Sequence, residues 1–273
     1  MLFDQIQESI NYINQRISFQ PEVGIILGTG LTSIINEMVV DESIPYPEIP
    51  HFAKSTVVGH YGQMIIGRYQ GKNIVVLSGR VHYYEGYSMK QTTYPVRVLQ
   101  KLNIQKLIIT NISGSVQPHI NVGDIVGIKD HINLQSENPL RGIVDERLGT
   151  RFPPMVNAYN KDMLALAAKI ASEQGITFLQ GIYAALDGPS LETRAEYKYL
   201  NLIGADLVGM STVAEVIVAN QIGLSVLAMS MVSNKCFPIE DIGDETIEGL
   251  LMTVQKNVPK FKSLLQGIVK GMN

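Results

Sequence analysis

Apolar residues fall along this chain in two rhythms. Ile6, Ile10, Ile13 and Ile17 recur at helical spacing, which predicts an amphipathic first helix over residues 4–17. Unbroken apolar runs at 23–27, 74–77, 107–110 and 182–186 read instead as buried strands. Helices are predicted at 31–38, at 92–102 with Pro95 in the first turn, and at 159–174, closed by Gly175. Residues 124–134 read as a strand around a packed His131. Thr193-Arg194-Ala195-Glu196 is a capping box that starts a helix ending at Gly204, and 205–210 is the strand after it, entered through Asp206. Thr212-Val213-Ala214-Glu215 reads as a second capping box, with its helix stopping at Gly223. A strand at 224–233 and a closing helix at 244–267, bent at Pro259, complete the chain. Strands and helices alternate throughout, so the class is α/β. No linker, repeat or low-complexity stretch interrupts the pattern, which predicts one domain over residues 1–273.

The strand at 74–77 leads into Ser78-Gly79-Arg80-Val81-His82-Tyr83-Tyr84-Glu85-Gly86. On an extended backbone, Arg80, His82 and Tyr84 would share one face. A fixed cation, a titratable ring and a phenol then suit an oxyanion beside a hydroxylated molecule. The same residues also fit a plain strand end with a surface Arg and two packed aromatics. Gly28-Thr29-Gly30 follows the first strand and precedes a predicted helix, which suits either an anion-binding turn or an ordinary connection. It lacks the third glycine of a dinucleotide fingerprint, since Ser33 stands there, and the Gly-Lys-Ser/Thr of a P-loop. Residues 41–62 are Pro-rich and end in a loop with His60 between small neighbours. Asn111-Ile112-Ser113-Gly114-Ser115 reads as a polar turn after a strand. Thr29, Arg80, His82, Asn111, Glu192, Ser211 and Asn234 thus sit at sheet-end turns, where ligands collect in such folds. Together they describe a pocket with one anion-binding end and one end suited to amides.

Composition narrows the classes. With 273 residues, 45% hydrophobic and 17% charged, the chain is an ordinary globular protein with a sizeable core. A net charge of −3 without any basic window gives no support for nucleic-acid binding. Cys236 has no partner in the chain, which fits a reducing, cytoplasmic setting. The N-terminus has no signal-peptide pattern, and no apolar run is long enough to span a bilayer. His51 and His60 are nine apart and there is no Cys pair, so no zinc spacing exists. No Gly-x-Ser-x-Gly elbow is present. A glycosidase-like carboxylate pair could draw on Asp187, Glu192, Asp206 and Glu215, but the last two read as a strand-entry and a capping residue.

Nearly the whole chain from Val23 onward resembles the trimeric purine nucleoside phosphorylases. The matching segments are Gly28-Thr29-Gly30-Leu31, Gly59-His60, Gly79-Arg80-Val81-His82-Tyr83-Tyr84-Glu85-Gly86, Thr110-Asn111, Gly188-Pro189-Ser190-Leu191-Glu192-Thr193, Val208-Gly209-Met210-Ser211-Thr212 and Ser233-Asn234-Lys235. The resemblance implies an α/β/α sandwich around a mixed, partly barrel-like sheet. It implies phosphorolysis of inosine and guanosine, or their deoxy forms, to free base and (deoxy)ribose 1-phosphate, a pentosyl transfer of purine salvage. It implies that phosphate meets Thr29, His60, Arg80, His82, the backbone at Ile112, and Ser211. Ribose would meet Tyr84 and Met210, with Phe152 supplied to the neighbouring subunit of a homotrimer. The base would meet Leu191, Glu192, Val208 and Asn234, and His82, Glu192 and Asn234 would carry catalysis. No metal or cofactor is implied; phosphate is a co-substrate. The chain departs from the family in having Thr29 for serine, Leu191 where phenylalanine is common, and Gly243-Asp244 where a histidine often contacts the ribose 5′-hydroxyl. Competing readings are a methylthioadenosine phosphorylase, which favours an acidic residue at Asn234, a non-catalytic nucleoside- or phosphate-binding protein, and a calcium-dependent nucleoside hydrolase.

Overall fold

The computed structural model describes residues 1–56, 62–243 and 246–272. Helix α1 (Leu2–Asn14) turns Ile6, Ile10 and Ile13 into the core, ending three residues earlier than the periodicity suggests. Strand β1 (Val23–Leu27) is buried throughout, and Gly28-Thr29-Gly30 follows it. The expected helix at 31–38 is a single 3₁₀ stretch, Thr32–Glu37, too short to hold an anion at its start. Strands β2 (Val39–Pro45), β3 (Gln63–Tyr69) and β4 (Lys72–Ser78) come next. The sequence reading assigns no element to β2 or β3. β2 is an edge strand carrying Asp41, Glu42 and Ser43, with Ile44 its one buried residue, so it has no apolar run to betray it.

Two short helices, α2 (Met89–Thr92) and α3 (Tyr94–Lys101), split the predicted helix, with Pro95 in the first turn of the second. Strand β5 (Lys106–Ser115) runs straight through Asn111–Ser115, where a polar turn is expected. Strand β6 (Ile125–Asn133), helix α4 (Lys161–Glu173) and strand β7 (Phe178–Ala185) follow. Thr193 caps helix α5 (Arg194–Leu202) through the expected box with Glu196. Strand β8 (Leu207–Gly209) leads to helix α6 (Val213–Gln221), strand β9 (Ser225–Lys235) and helix α7 (Ile247–Gly271), which contains Pro259. The predicted start of the closing helix at Asp244 lies outside the described residues.

Among the described residues the strands form one sheet, ordered β2-β3-β4-β1-β5-β8-β7-β6-β9. A second pairing, β5 with β9, closes the last five strands on themselves. The sheet is therefore open at β2 and barrel-like at β5–β9, with parallel and antiparallel neighbours mixed. Successive residues of β1 face opposite layers: Ile26 packs with α1, α3 and α6, whereas Val23, Ile25 and Leu27 pack with α4 and α7. This is a three-layer α/β/α arrangement. A smaller cluster under α5 contains Val116, Ala184, Leu200, Val208 and Cys236.

Candidate active site

At the end of β1, Gly28 lies against β5. A Cβ there would come within 2.7 Å of Asn111 Cα and Thr110 O, so only glycine allows the approach. Its N–H donates to Thr110 Oγ1 at 3.0 Å, and that hydroxyl donates on to Ile26 O. Gly28 N–H is thus used within the sheet, contrary to the anion-turn reading of this glycine. Thr29 is half-buried in the turn behind it.

Gly79 adopts a positive φ of 96° after β4 and turns Arg80 inward, to 6% exposure. Its Nη2 donates to Thr110 O at 2.8 Å and its Nη1 to Ser211 Oγ at 3.1 Å. Nε lies 3.0 Å from Glu215 Oε1. The second capping box does not exist. Thr212, at the N-cap of α6, has φ of 74°, a strained value for a β-branched residue, and makes no side-chain cap. Its Oγ1 accepts from Asn111 Nδ2 at 2.7 Å instead. Glu215 is released from the helix start and reaches Arg80. The sequence did carry a signal: α6 reads Val-Ala-Glu-Val-Ile-Val-Ala-Asn-Gln, and a single charge in an apolar helix demands a buried partner.

The extended run ends at His82. Tyr83–Glu85 is a 3₁₀ turn, so Tyr84 does not continue the alternation, yet its ring stacks on His82 at 4.8 Å and 11°. Glu85 reaches back to His82, accepting from its backbone N–H at 2.6 Å and lying 3.2 Å from Nδ1. Thr56 donates to the other oxygen from its backbone and its hydroxyl, at 2.7 and 2.5 Å. Burial works against the ionised carboxylate, but these hydrogen bonds outweigh it and bring Glu85 down to about 2. Burial lowers the pKa of His82 against the pull of Glu85, so the imidazole is neutral at pH 7. With Nδ1 facing a carboxylate, that nitrogen carries the proton and Nε2 is an acceptor. Sequence reasoning gave Glu85 no role, although His-x-x-Glu is itself a capping pattern. Burial, ahead of nearby charges, raises Tyr84 to about 12. Arg80, His82, Met210, Ser211, Thr212 and Glu215 surround a cavity of about 20 Å³.

A second group lies beyond Met210, whose Sδ packs on Gly188. Asn234 is buried on β9. Its Nδ2 donates to Cys236 Sγ at 3.2 Å and its Oδ1 accepts from Ser233 Oγ at 2.8 Å. Val208 and Cys236 converge with it around Gly114. Glu192 is half-buried on the loop before α5, where burial first of all raises its carboxyl pKa and Tyr197 partly offsets this. Leu191 beside it is 46% exposed. Ile112 is half-buried within β5, opposite Met231 of β9. Phe152, expected to serve a neighbouring subunit, is 82% exposed with Arg151 against its ring, and His60 lies outside the described residues. His131, expected to be packed, is half-buried and bonds the Tyr159 hydroxyl at 2.9 Å.

A buried guanidinium beside a hydroxyl is chemistry that can hold an anion, and a carboxylate linked to a carboxamide through Tyr197 and Cys236 is chemistry that can meet a planar amide-bearing ring. A sequence model of the phosphorylase superfamily matches residues 22–271. Purine nucleoside phosphorylase 1 of Bacillus subtilis strain 168 is 42% identical over 97% of this chain and 98% of its own length. The chain belongs to the purine nucleoside phosphorylase family. Isoform 2 of the Schistosoma mansoni purine nucleoside phosphorylase, solved with cytosine and ribose-1-phosphate, superposes with a TM-score of 0.94 at 36% identity, covering 99% of this chain and 97% of that one. A Schistosoma mansoni enzyme solved with adenosine gives 0.93 at 35% identity, covering 99% and 98%. Among the described residues, no helix is long and apolar enough to cross a membrane.

Proposed function

We propose that this protein is a purine nucleoside phosphorylase that cleaves 6-oxopurine nucleosides, inosine and guanosine among them, to free base and pentose 1-phosphate. The observation that carries this is strand β5, which holds Arg80 at Thr110 O and, four residues on, pairs Gly114 with Asn234 of β9, whose carboxamide is linked through Cys236 and Tyr197 to Glu192. Phosphate sits against Arg80, Ser211, Thr29 and the Ile112 backbone, and the family resemblance adds His60 to its ligands. Neutral His82 accepts a hydrogen bond from the phosphate P–O–H at Nε2; that proton is released to solvent as the new C–O bond forms, and solvent supplies the one taken up at N7 of the departing purine. Tyr84 and Met210 position the pentose above it. As the glycosidic bond lengthens, positive charge grows on the sugar and negative charge on the purine. Phosphate oxygens stabilise the first. Asn234 stabilises the second by donating to O6 and accepting from N7–H, while ionised Glu192 accepts N1–H. Val208 and Leu191 supply the apolar walls of the base site. No covalent enzyme intermediate is needed, and the electron pair of the broken bond ends on the departing base.

The protein acts as a homotrimer within the cytoplasm, and each Phe152 covers the ribose site of a neighbour. An 82% exposed Phe152, with Val144 and Val156 70% and 93% exposed nearby in sequence, supports a surface meant for another subunit. Sedimentation of an active trimer is expected; full activity in a monomer would remove this part. The whole chain serves as one catalytic domain.

The deciding assay is turnover of inosine, guanosine and adenosine with and without phosphate. Strict phosphate dependence and a preference of roughly 10⁴-fold for the 6-oxopurines are expected, since adenosine offers Glu192 a lone pair in place of N1–H. The adenosine complex of the similar Schistosoma mansoni enzyme makes adenosine the critical arm. Asn234→Asp should relax the preference, because aspartate can accept from an N6 amine. Turnover without phosphate, or comparable kcat/KM for inosine and adenosine, would overturn the reading.

A further inference from the structure

Helix α6 (Val213–Gln221) is buried along almost its whole length, and Glu215 is its single charged residue. Glu215 is 6% exposed, as is Arg80. Burying a carboxylate in an apolar helix is unfavourable unless a cation meets it, and Arg80 Nε does so at 3.0 Å. The other carboxylate oxygen, Oε2, accepts no hydrogen bond among the described residues. The contact is therefore directed at Arg80 and not divided among neighbours. It meets Nε, whereas Ser211 and Thr110 hold Nη1 and Nη2. Two hydrogen bonds at Nη1 and Nη2 and an ion pair at Nε restrain the guanidinium, and its charge is balanced before any anion arrives.

We infer that Glu215 is a positioning residue that aims Arg80 and moderates its charge, so that phosphate and pentose 1-phosphate bind weakly enough to leave. This rests on the reading of Arg80 as the phosphate-binding cation. A phosphate brought to a bare buried Arg80 would be held more tightly than one brought to the Arg80–Glu215 pair. The pair keeps the orientation and gives up part of the attraction.

The test separates the two functions of the carboxylate. Glu215→Gln keeps an acceptor toward Nε and removes the charge. Its phosphate KM should fall about fivefold or more, its affinity for ribose 1-phosphate should rise by a similar factor, and kcat should drop as product lingers. Glu215→Asp keeps the charge and shortens the reach, so its phosphate KM should rise severalfold with the inosine KM unchanged. Should the Gln variant fail to fold, the Asp variant decides. A purely structural Glu215 would lower the melting temperature and leave both phosphate KM values at the wild-type figure, and that result overturns the inference. Arg80→Ala is run beside them. If it leaves the phosphate KM unchanged, the reading of Arg80 itself fails; if it raises KM while both Glu215 variants leave KM unmoved, only the inference fails.

Discussion

Arg80 is 6% exposed and held by β5, by Glu215 of α6 and by Ser211 at that helix's threshold, whereas Leu191, beside Glu192, is 46% exposed on the loop before α5. In the proposed site, the anion end is built from charges fixed before a ligand comes, and the base end from a loop whose wall is half open. A tightly held cation gains little from rearranging, so its removal should cost the full contact. An open loop can adjust, so substitutions there should cost less and shift selectivity more than stability.

The sharpest break of this comparison is Arg80→Ala. Loss of a charge-assisted contact worth about 1.5–3 kcal/mol should raise the phosphate KM roughly ten- to hundredfold while the nucleoside KM stays within about twofold. Equal effects on both would show that the two ends are one mechanical unit. Glu192→Gln is the reciprocal change: kcat/KM for inosine should fall about tenfold with phosphate KM unaltered. Because burial raises the pKa of Glu192, the ionised acceptor is lost at a higher pH than for an ordinary carboxyl. The wild-type acid limb of kcat/KM should accordingly lie above the usual carboxylate range and vanish in the Gln variant. An identical limb in both would assign the titration elsewhere.

Glu85 gives a pH test of the anion end alone. Its folded pKa is depressed to about 2, so its stabilisation is complete above the unfolded value near 4.5 and is lost as pH falls through the folded one. Glu85→Gln should therefore be less stable than wild type at pH 7, with the gap closing between about pH 4.5 and 2 in denaturant titrations. A gap that stays constant with pH would mean that packing, not charge, is what Glu85 contributes. Smallest of all, Thr193→Ala removes the cap of α5 at the base end and should cost about 1 kcal/mol. Its melting point should drop by a few degrees with phosphate KM unmoved; a change in phosphate KM would contradict the separation of the two ends.

How far the sequence disclosed these ends follows from the residues themselves. The apolar runs of β1, β4 and β9 are legible because both faces of each strand are buried. β5 is legible only to Thr110. Beyond Thr110 it carries Asn111, Ser113 and Ser115, bonded to Thr212, Ser230 and Gln117, and these polar residues imitate the end of a strand. The site thus erases the signal of the element that bears it. Glu215 was hidden in another way, since Thr-x-x-Glu before an apolar run is the usual sign of a helix start. The positive φ of Thr212 defeats that rule, and backbone strain leaves no mark in a sequence. The pairing of β5 with β9 joins segments more than a hundred residues apart and has no local signature at all.

Gly149 shows how unevenly this chain should accept change. Its φ is 103°, and a Cβ on it would lie 2.2 Å from Gln221 O, at the far end of α6. Thr150 N–H donates to the same oxygen, and buried Arg97 clasps Gln221 Oε1 and Leu148 O. In a library of all single substitutions, position 149 should be nearly empty among folded clones, and position 97 almost as bare. Positions 144 and 156, which are 70% and 93% exposed, should fill with alternatives when clones are sorted only for folding. Sorting the same library for assembly should then thin out position 152, so that the root of the segment is fixed by the fold and its tip by the company it keeps.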